Sequence, residues 1–425
     1  MAFWFFLLSF AVLDAVWWNW ADRRLRSLPR ARLWRLALAL FMGLQVICFA
    51  VMFVLRVASM RPMIPLPLLA SMYIWHLFVL PSTMVLLTGG TVVAWGINAM
   101  ARLFAFIRGM SAGVSGDDLS AADGSTLPMA TGPTRRQVLL ATVVAVPPLL
   151  TTGSAGASLA RLDDFRIRRL MVGIPELPPA LEGLTIAHIT DVHTGRFTPD
   201  SKLAAIVEQT NRLNADLVVL TGDLIDFNLT DLPAALGMVQ QLQARVGLFM
   251  CEGNHDLIED RDEFELQVKA AGVPLLLNES AVISIKGHPV QMLGLRWGKY
   301  GRYDSQIDRD MESLLRLRQK GTFPILLAHH PHAFDSAAQA GIPLTLAGHT
   351  HGGQLMLTKD IGAGSLMFRY WSGLYQRGGS SLVVSNGVGN WFPLRVNAPA
   401  EIIHLTLRRP GSLGTAVAPA HGGRS

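Results

Sequence analysis

Lysine is missing from the first 150 residues of this 425-residue chain, and cysteine is nearly missing from all of it. The two cysteines, Cys48 and Cys251, lie far apart, which excludes a disulfide framework. Two buried-type cysteines say nothing about redox compartment. Charge is scarce too: Asp, Glu, Lys and Arg make up 16% of the chain, against about 25% in ordinary soluble proteins. Apolar residues reach 50% and mean hydropathy is +0.34, so a disordered chain is excluded.

The scarcity is uneven. Residues 1–150 hold twelve Arg and five acids, a balance of +7, which leaves −1 for the remainder. Seven of the ten Trp fall in the first 100 residues. The net charge of +6 and the pI of 9.6 therefore belong to the N-terminal part. There the Arg residues sit between apolar runs, a pattern that orients membrane segments. A nucleic-acid partner would need a basic face on a folded domain, so none is expected.

Region 1–110 contains three apolar stretches: Phe3–Trp20, broken by Asp14; Trp34–Leu55; and Pro65–Ile107, with Arg102 near its end. A helix needs about 20 residues to span the hydrocarbon core. The spacing predicts membrane helices at about 3–20, 34–55 and 66–100. Arg23, Arg24, Arg26, Arg30, Arg32 and Arg35 crowd the first loop and assign it to the cytoplasm. A single long third span keeps Arg108, Arg135 and Arg136 on that side as well, whereas splitting it would move them out. Residues 111–134, rich in Gly, Ser, Ala and Asp, read as a flexible linker. Thr134-Arg135-Arg136-Gln137-Val138-Leu139-Leu140 then opens an apolar run that ends in small residues. Segment 135–160 resembles an internal twin-arginine signal, or is a fourth membrane segment. Either reading carries the rest of the chain across the bilayer; a segment that does not cross would keep it inside. A lead-in at 161–182, a domain at 183–409 and a disordered tail at 410–425 complete the division.

In the second half, five short apolar strands each run into Asp, His or Asn. Strand 184–190 ends at Asp191-Val192-His193, and 217–220 at Gly222-Asp223. Strand 246–250 leads to Gly253-Asn254-His255-Asp256, 323–327 to His329-His330-Pro331, and 342–346 to Gly348-His349-Thr350-His351. Sites in α/β sheets gather beyond the carboxyl ends of strands, so five such ends converge. Singly these are ordinary turns: a Gly-Asp pair says little, and His329, His330 and His332 could open a helix. Together, in order and each after a strand, they are a ligand set. Two carboxylates, an amide and several imidazoles exceed one tetrahedral zinc. The set suits two five- or six-coordinate ions about 3.5–4 Å apart sharing a carboxylate.

These motifs closely resemble the calcineurin-like metallophosphoesterase family, whose pattern is D-x-H, G-D, G-N-H-D/E, a lone His and G-H-x-H. All five stand between Asp191 and His351, and the resemblance covers about Leu184 to Leu407. Gly348–Gln354 and Ser385-Asn386-Gly387 resemble its bacterial membrane-associated branch. The resemblance implies an α/β two-sheet sandwich flanked by helices, here preceded by an all-α transmembrane region of three to four helices. It implies that Asp191, His193 and His351 bind one metal and that Asp223 bridges. Asn254, His329 and His349 would hold the second. The lone His is His329 or His330, and its place directly after the strand, two before Pro331, favours His329. His255, oriented by Asp256, would act near the leaving oxygen, although Asp256 could instead only cap a turn. Arg196 is a candidate phosphate contact, with a solvated surface Arg as the blander reading.

The cofactors implied are two divalent ions among Mn, Fe, Zn and Ni. The implied activity is hydrolysis of a phosphomonoester, phosphodiester or pyrophosphate by a metal-bridging hydroxide. The partners are a phosphorylated small molecule or lipid and the membrane bilayer. The expected location is a bacterial inner membrane, multi-pass, with the catalytic domain on the periplasmic or extracellular side. Two other classes compete: a receptor or scaffold binding phosphorylated ligands without turnover, and a transporter with an accessory domain. The full ligand set opposes the first. Asp14, the one ionisable residue deep in a span, is thin material for the second.

Overall fold

Apolar helices account for the described residues up to Leu159. The computed structural model describes residues 2–57, 64–111, 134–298, 303–358 and 360–410. The linker at 112–133 and the tail at 411–425 lie outside the described residues. The chain divides into two units, 1–159 and 160–425.

The first unit contains α1 (Ala2–Leu25), α2 (Ala31–Val57), α3 (Leu66–Ile74), α4 (Leu80–Ser111) and α5 (Arg135–Leu159). A single π turn, Trp75–Val79, joins α3 to α4, so the third apolar stretch continues as one helical run. Among the described residues, three helices are long and apolar enough to cross a membrane: 31–55, 66–102 and 135–159. The Thr-Arg-Arg-Gln sequence opens α5 with a capping box. Thr134 N–H donates to the Gln137 side chain at 2.9 Å, and Gln137 N–H donates to the Thr134 hydroxyl at 3.3 Å. Pro147 and Pro148 lie inside this helix without ending it. Asp14 is buried and accepts from Trp75 Nε1 at 2.9 Å, with His76 Nε2 at 3.0 Å from its other oxygen.

The second unit runs β1 (Arg166–Gly173), β2 (Thr185–Ile189), α6 (Asp200–Arg212), β3 (Leu217–Thr221), α7 (Leu232–Gln241), β4 (Gly247–Cys251) and α8 (Arg261–Ala270). It continues through β5 (Glu279–Ile285), β6 (His288–Gly294), α9 (Tyr303–Leu315), β7 (Phe323–Leu327), α10 (Ala333–Gln339) and β8 (Leu344–Ala347). Last come α11 (Ala363–Met367), β9 (Gly373–Arg377), β10 (Ser380–Val384) and β11 (Glu401–Arg408). One sheet has the order β1-β11-β2-β3-β4, the other β5-β6-β7-β8-β10-β9.

Side chains alternate along each strand, and here both faces are covered. Ile186, Leu217, Val219 and Phe249 of one sheet meet Met292, Ile325, Leu327 and Leu346 of the other between the layers. Ala187, Val218 and Leu220 point outward, against Leu203, Ile206, Leu236 and Phe264 of α6–α8. On the far side, Met311 and Leu314 of α9 pack with Leu293 and Leu326. Strands β2, β3 and β4 are mutually parallel, as are β6, β7, β8 and β10. Their carboxyl ends therefore share one edge within each sheet.

The stretch expected as a lead-in is part of the sandwich. Strand β1 pairs with β11 over eight residues, from Arg166 with Glu401 to Gly173 with Arg408. Its alternation is hidden in sequence because Arg166, Arg168 and Arg169 occupy it. The buried Glu401 carboxylate explains two of them, meeting Arg166 at 2.7 Å and Arg168 at 3.2 Å. Replacing Glu401 by Ala leaves those guanidinium groups half-wetted without a counter-charge. The variant should lose about 2 kcal/mol of stability, discounted for the exposure of Arg166. Denaturant unfolding followed by tryptophan emission checks it.

Candidate metal centre

Each expected ligand leaves its strand within a few residues of the strand's end, and most do so on backbone that few side chains adopt. Asp191, His193, Asp223, His349 and His351 all have φ between 46° and 72°. Non-glycine residues are rare in this region, and clusters of them mark sites where the surroundings hold a costly conformation. The hold is visible at Gly348. A Cβ there would collide with the Thr190 hydroxyl and the Asp191 carboxylate, so only glycine lets β8 approach the end of β2. His349 N–H then donates to both Asp191 oxygens, at 3.0 and 3.1 Å.

The side chains form three groups. Asp191, His193 and His351 converge, as do Asp223, His329 and His349; in each group the ligating atoms lie within 4.8 Å of one another. His193 Nε2 is 3.0 Å from His351 Nε2, and His329 Nε2 is 3.1 Å from Asp223 Oδ2. His193 Nε2 also lies 3.5 Å from Asp223 Oδ2, so that carboxylate faces both groups. The third group, His193, Asp226 and His255, includes a residue that no strand-end motif singled out.

The residues fit divalent cations. Two ring nitrogens at 3.0 Å with a carboxylate beside them are a donor set that a divalent cation suits. Asn254 Oδ1 is buried and accepts no hydrogen bond among the described residues. His329 Nδ1 lies 2.7 Å from the Thr221 carbonyl, which can only accept, so a hydrogen sits on Nδ1 and Nε2 is the atom left for a metal. His255 Nδ1 lies 2.7 Å from the Asp226 carbonyl and is fixed the same way. His351 differs: its Nδ1 faces Arg395 at 2.9 Å, and its Nε2, 3.2 Å from Asp191 Oδ1, is the atom turned toward the group. Arg395 also donates to Asn390 Oδ1, Asn386 O, Gly389 O and Ala398 O, which locks the 386–398 loop behind this ring.

Burial and the neighbouring carboxylates shift the rings in different directions. Burial disfavours a charged His193, but the carboxylates of Asp191, Asp226 and Asp223 outweigh it and push the ring up to about 10. Burial is likewise outweighed at His329 by Asp223, which raises it to about 9. Burial and the charged His329 drive His349 down to about 3. Burial also dominates at His351, which falls to about 4. Burial opposes ionisation of Asp191 and Asp223 too, yet the adjacent imidazoles hold both carboxyls well below their usual range.

Asp256 does not meet the His255 ring. Its carboxylate accepts four backbone N–H groups, from Asp223, Leu224, Ile225 and Gly253, at 2.7–3.1 Å. It therefore ties the loop after β3 to the loop after β4. The orientation expected of Asp256 comes from Asp226, whose carbonyl holds His255 Nδ1 and whose Oδ1 lies 3.4 Å away. His330 stays outside the two main groups, its ring 4.8 Å from that of His349 and driven far down by burial. Arg196 is half-buried on the turn that Gly195 and Thr198 close. Trp297, which no motif pointed to, packs against the rings of His329 and His349 at 5.3 and 5.2 Å. Buried Glu252 holds it there by accepting its N–H at 2.9 Å.

Residues 184–353 match the family profile of calcineurin-like phosphoesterases. The soluble unit belongs to that family. It is accordingly a metal-dependent phosphoesterase domain. A Danio rerio protein named as a transmembrane protein with a metallophosphoesterase domain is 29% identical over 330 residues, 74% of this chain and 72% of that one. The match is longer than the soluble unit and so extends into the helical region. A metallophosphoesterase of Helicobacter pylori is 31% identical over 231 residues, 53% of this chain and 60% of its own length. The phosphodiesterase YaeI of Escherichia coli is 27% identical over 230 residues, 52% of this chain and 81% of that one.

Proton and metal compete for the same ring nitrogens, so metal affinity should strengthen with rising pH up to about 10, past the points where first His329 and then His193 lose their protons unaided. Near pH 7, loading both positions should release about two protons, from His193 and His329. Calorimetric Mn²⁺ titration in buffers of different ionisation enthalpy measures the number. Release of none would mean that these rings are not ligands.

Proposed function

We propose that the chain is a membrane-anchored phosphoesterase that uses two divalent ions, acting on a phosphoester whose apolar part can remain in the bilayer. The observation that carries the reading is the pair of groups, Asp191–His193–His351 and Asp223–His329–His349, which lie side by side beyond the strand ends. Asp191, His193 and His351 would hold one ion, and Asp223, which faces both groups, would contribute to each. Asn254, His329 and His349 complete the second. The ions, when bound, supply an activated water and neutralise the phosphoryl oxygens. Which ions they are, among Mn, Fe, Zn and Ni, is a matter for elemental analysis.

His255 does the remaining chemistry. With its Nδ1 hydrogen directed at the Asp226 carbonyl, its Nε2 is the atom left to bond an equatorial oxygen or to give a proton to the leaving group. Asp226 stands beside both rings, its Oδ1 3.4 Å from the Nδ1 of His193 and 3.4 Å from that of His255. Arg196 is kept as a candidate phosphate contact. Asp256 acts through the backbone, keeping Asp223 and Asn254 in place together.

Three helices of membrane-spanning length and Arg-rich loop 23–35 support an anchor with the catalytic unit on the side opposite that loop, the periplasmic side of a bacterial inner membrane. Alkaline phosphatase and cytoplasmic reporters fused at the C-terminus test the side. The activity named for the Escherichia coli relative supports a phosphodiester as the first substrate to try. A receptor without turnover would have no use for His255 Nε2.

His255→Ala should lower hydrolysis of a nitrophenyl phosphodiester about 10²–10⁴-fold while bound metal stays near the parent value. Asp226→Asn should cost about 10–100-fold, again with metal retained. Asp223→Ala should lose metal as well as turnover. Parent rates in all three would show the assignment to be wrong. Phosphorus NMR of membrane lipid extracts incubated with the protein identifies the substrate.

A further inference from the structure

Between His351 and Trp371 the chain makes an excursion unlike any other described part of the soluble unit. Residues 355–358 and 360–367 fold as a short bridged turn, Met356 with Gly362, followed by α11. Four large aliphatic side chains on it face water: Leu357 is 79% exposed, Ile361 59%, Leu366 87% and Met367 71%. Elsewhere in the unit the exposed large apolar residues, such as Met171, Leu266 and Val282, are scattered singly, as on most protein surfaces. A cluster of this kind marks a surface that meets something apolar.

The excursion is not a loose end. Buried Met356 donates its N–H to Val396 O at 3.0 Å, and Asn397 Nδ2 donates to the carbonyls of Met356 and Leu357 at 2.9 and 3.0 Å. Gly353 packs so tightly on Gly364 that neither could carry a side chain. Both ends stand at the metal centre. The segment begins four residues after His351, and the Phe368 ring that closes it packs against His349 at 5.9 Å. The apolar lip is therefore part of the mouth of the site.

We infer that this lip inserts into a lipid bilayer surface and brings the metal centre to phosphoesters held there. The inference deepens the proposed function and rests on its reading of the chain as membrane-anchored. Two observations select the bilayer as the occupant. The last helix of membrane-spanning length ends at Leu159 and β1 begins at Arg166, so the intervening residues reach at most about 25 Å and tether the soluble unit near a bilayer. Charge agrees: Arg369, next to the lip, and Arg377 share the single carboxylate of Asp335, at 3.3 and 3.0 Å. With Lys359 and Asp360 of the lip sequence counted as well, three basic and two acidic residues leave one positive charge in excess beside the apolar residues, the combination that interfacial segments present to anionic headgroups.

The test uses the full chain reconstituted in vesicles of phosphatidylethanolamine and phosphatidylglycerol. Cys48 and Cys251 are both buried, so Leu366→Cys accepts an environment-sensitive fluorophore selectively. Lys320→Cys, just before β7 and so at the opposite end of the sheet, is the control. Spin-labelled phosphatidylcholine should remove most of the emission at 366 and little at 320. With a label at Leu357→Cys, the paired changes Leu366→Asp and Met367→Asp should abolish the quenching, while hydrolysis of a water-soluble nitrophenyl phosphodiester stays at the parent rate. Unquenched emission at 366 with hydrolysis intact overturns the lip and leaves the proposed function standing. Quenching without hydrolysis supports the lip and overturns that function. Emission that shifts with protein density but resists the spin label points to a second copy of the chain, and overturns the inference.

Discussion

The site depends on one contact between the sheets, where the end of β8 meets the carboxylate of Asp191. Gly348 allows it, because any side chain there would displace Thr190 and Asp191. The His349 amide then bonds both Asp191 oxygens, and on the other flank a Cβ at Gly389 would strike the Val192 backbone. With its oxygens held by the second sheet, Asp191 cannot turn to water. The residues around it are forced into left-handed backbone, at a cost of order 1–3 kcal/mol each, which the packed sandwich must cover. Rigidity is what that cost secures. The donor atoms of two groups, drawn from both sheets, stay aimed inward before any cation arrives.

Preorganisation of this kind creates an electrostatic problem, and protonation answers it. Three carboxylates, of Asp191, Asp223 and Asp226, lie within a few ångströms of His193 with little water to solvate them. Those carboxylates favour the charged forms of His193 and His329, while burial favours the neutral forms of His349 and His351. Divalent ions replace those protons at the same atoms. The site is thus shaped by a charge demand that the same side chains meet twice, once with hydrogen ions and once with metal.

Much of this was legible in the sequence because metal ligands at strand ends leave a double trace. An apolar run of strand length and a turn with Gly, Asp, His or Asn must follow each other, and five repetitions leave little room for accident. What escaped lacks such a trace. Asp226 is three residues beyond Asp223 in an ordinary loop, and its place beside His193 comes from the pairing of Thr194 with Ile225, which brings two loops together. Trp297 and Arg395 reach the centre from far along the chain, Trp297 lying 52 residues before His349 and Arg395 lying 44 residues after His351. No spacing rule connects residues so distant. Asp256 was visible but ambiguous, since a carboxylate after an Asn-His pair can orient a ring or gather amides. Only the positions of four N–H groups decide between these. Strand β1 was hidden by its arginines, which sequence shows as polarity and the fold uses as partners for Glu401.

The helical unit follows the same logic of paired polarity at a different depth. Asp14 interrupts an otherwise apolar stretch, and an unpaired acid there would oppose membrane insertion. It meets Trp75 Nε1 and His76 Nε2, both buried, across helices that the sequence separates by 61 and 62 residues. The π turn at Trp75–Val79 is what lets two consecutive side chains reach one carboxylate, since widening the helix turns neighbouring residues closer to a common direction. His76 Nδ1 in turn lies 3.0 Å from the Met72 carbonyl, and the Phe49 ring stacks on the imidazole. The acid's immediate circle is thereby answered from within the helices. A helical unit built this way holds its register through one specific polar contact as well as through apolar packing.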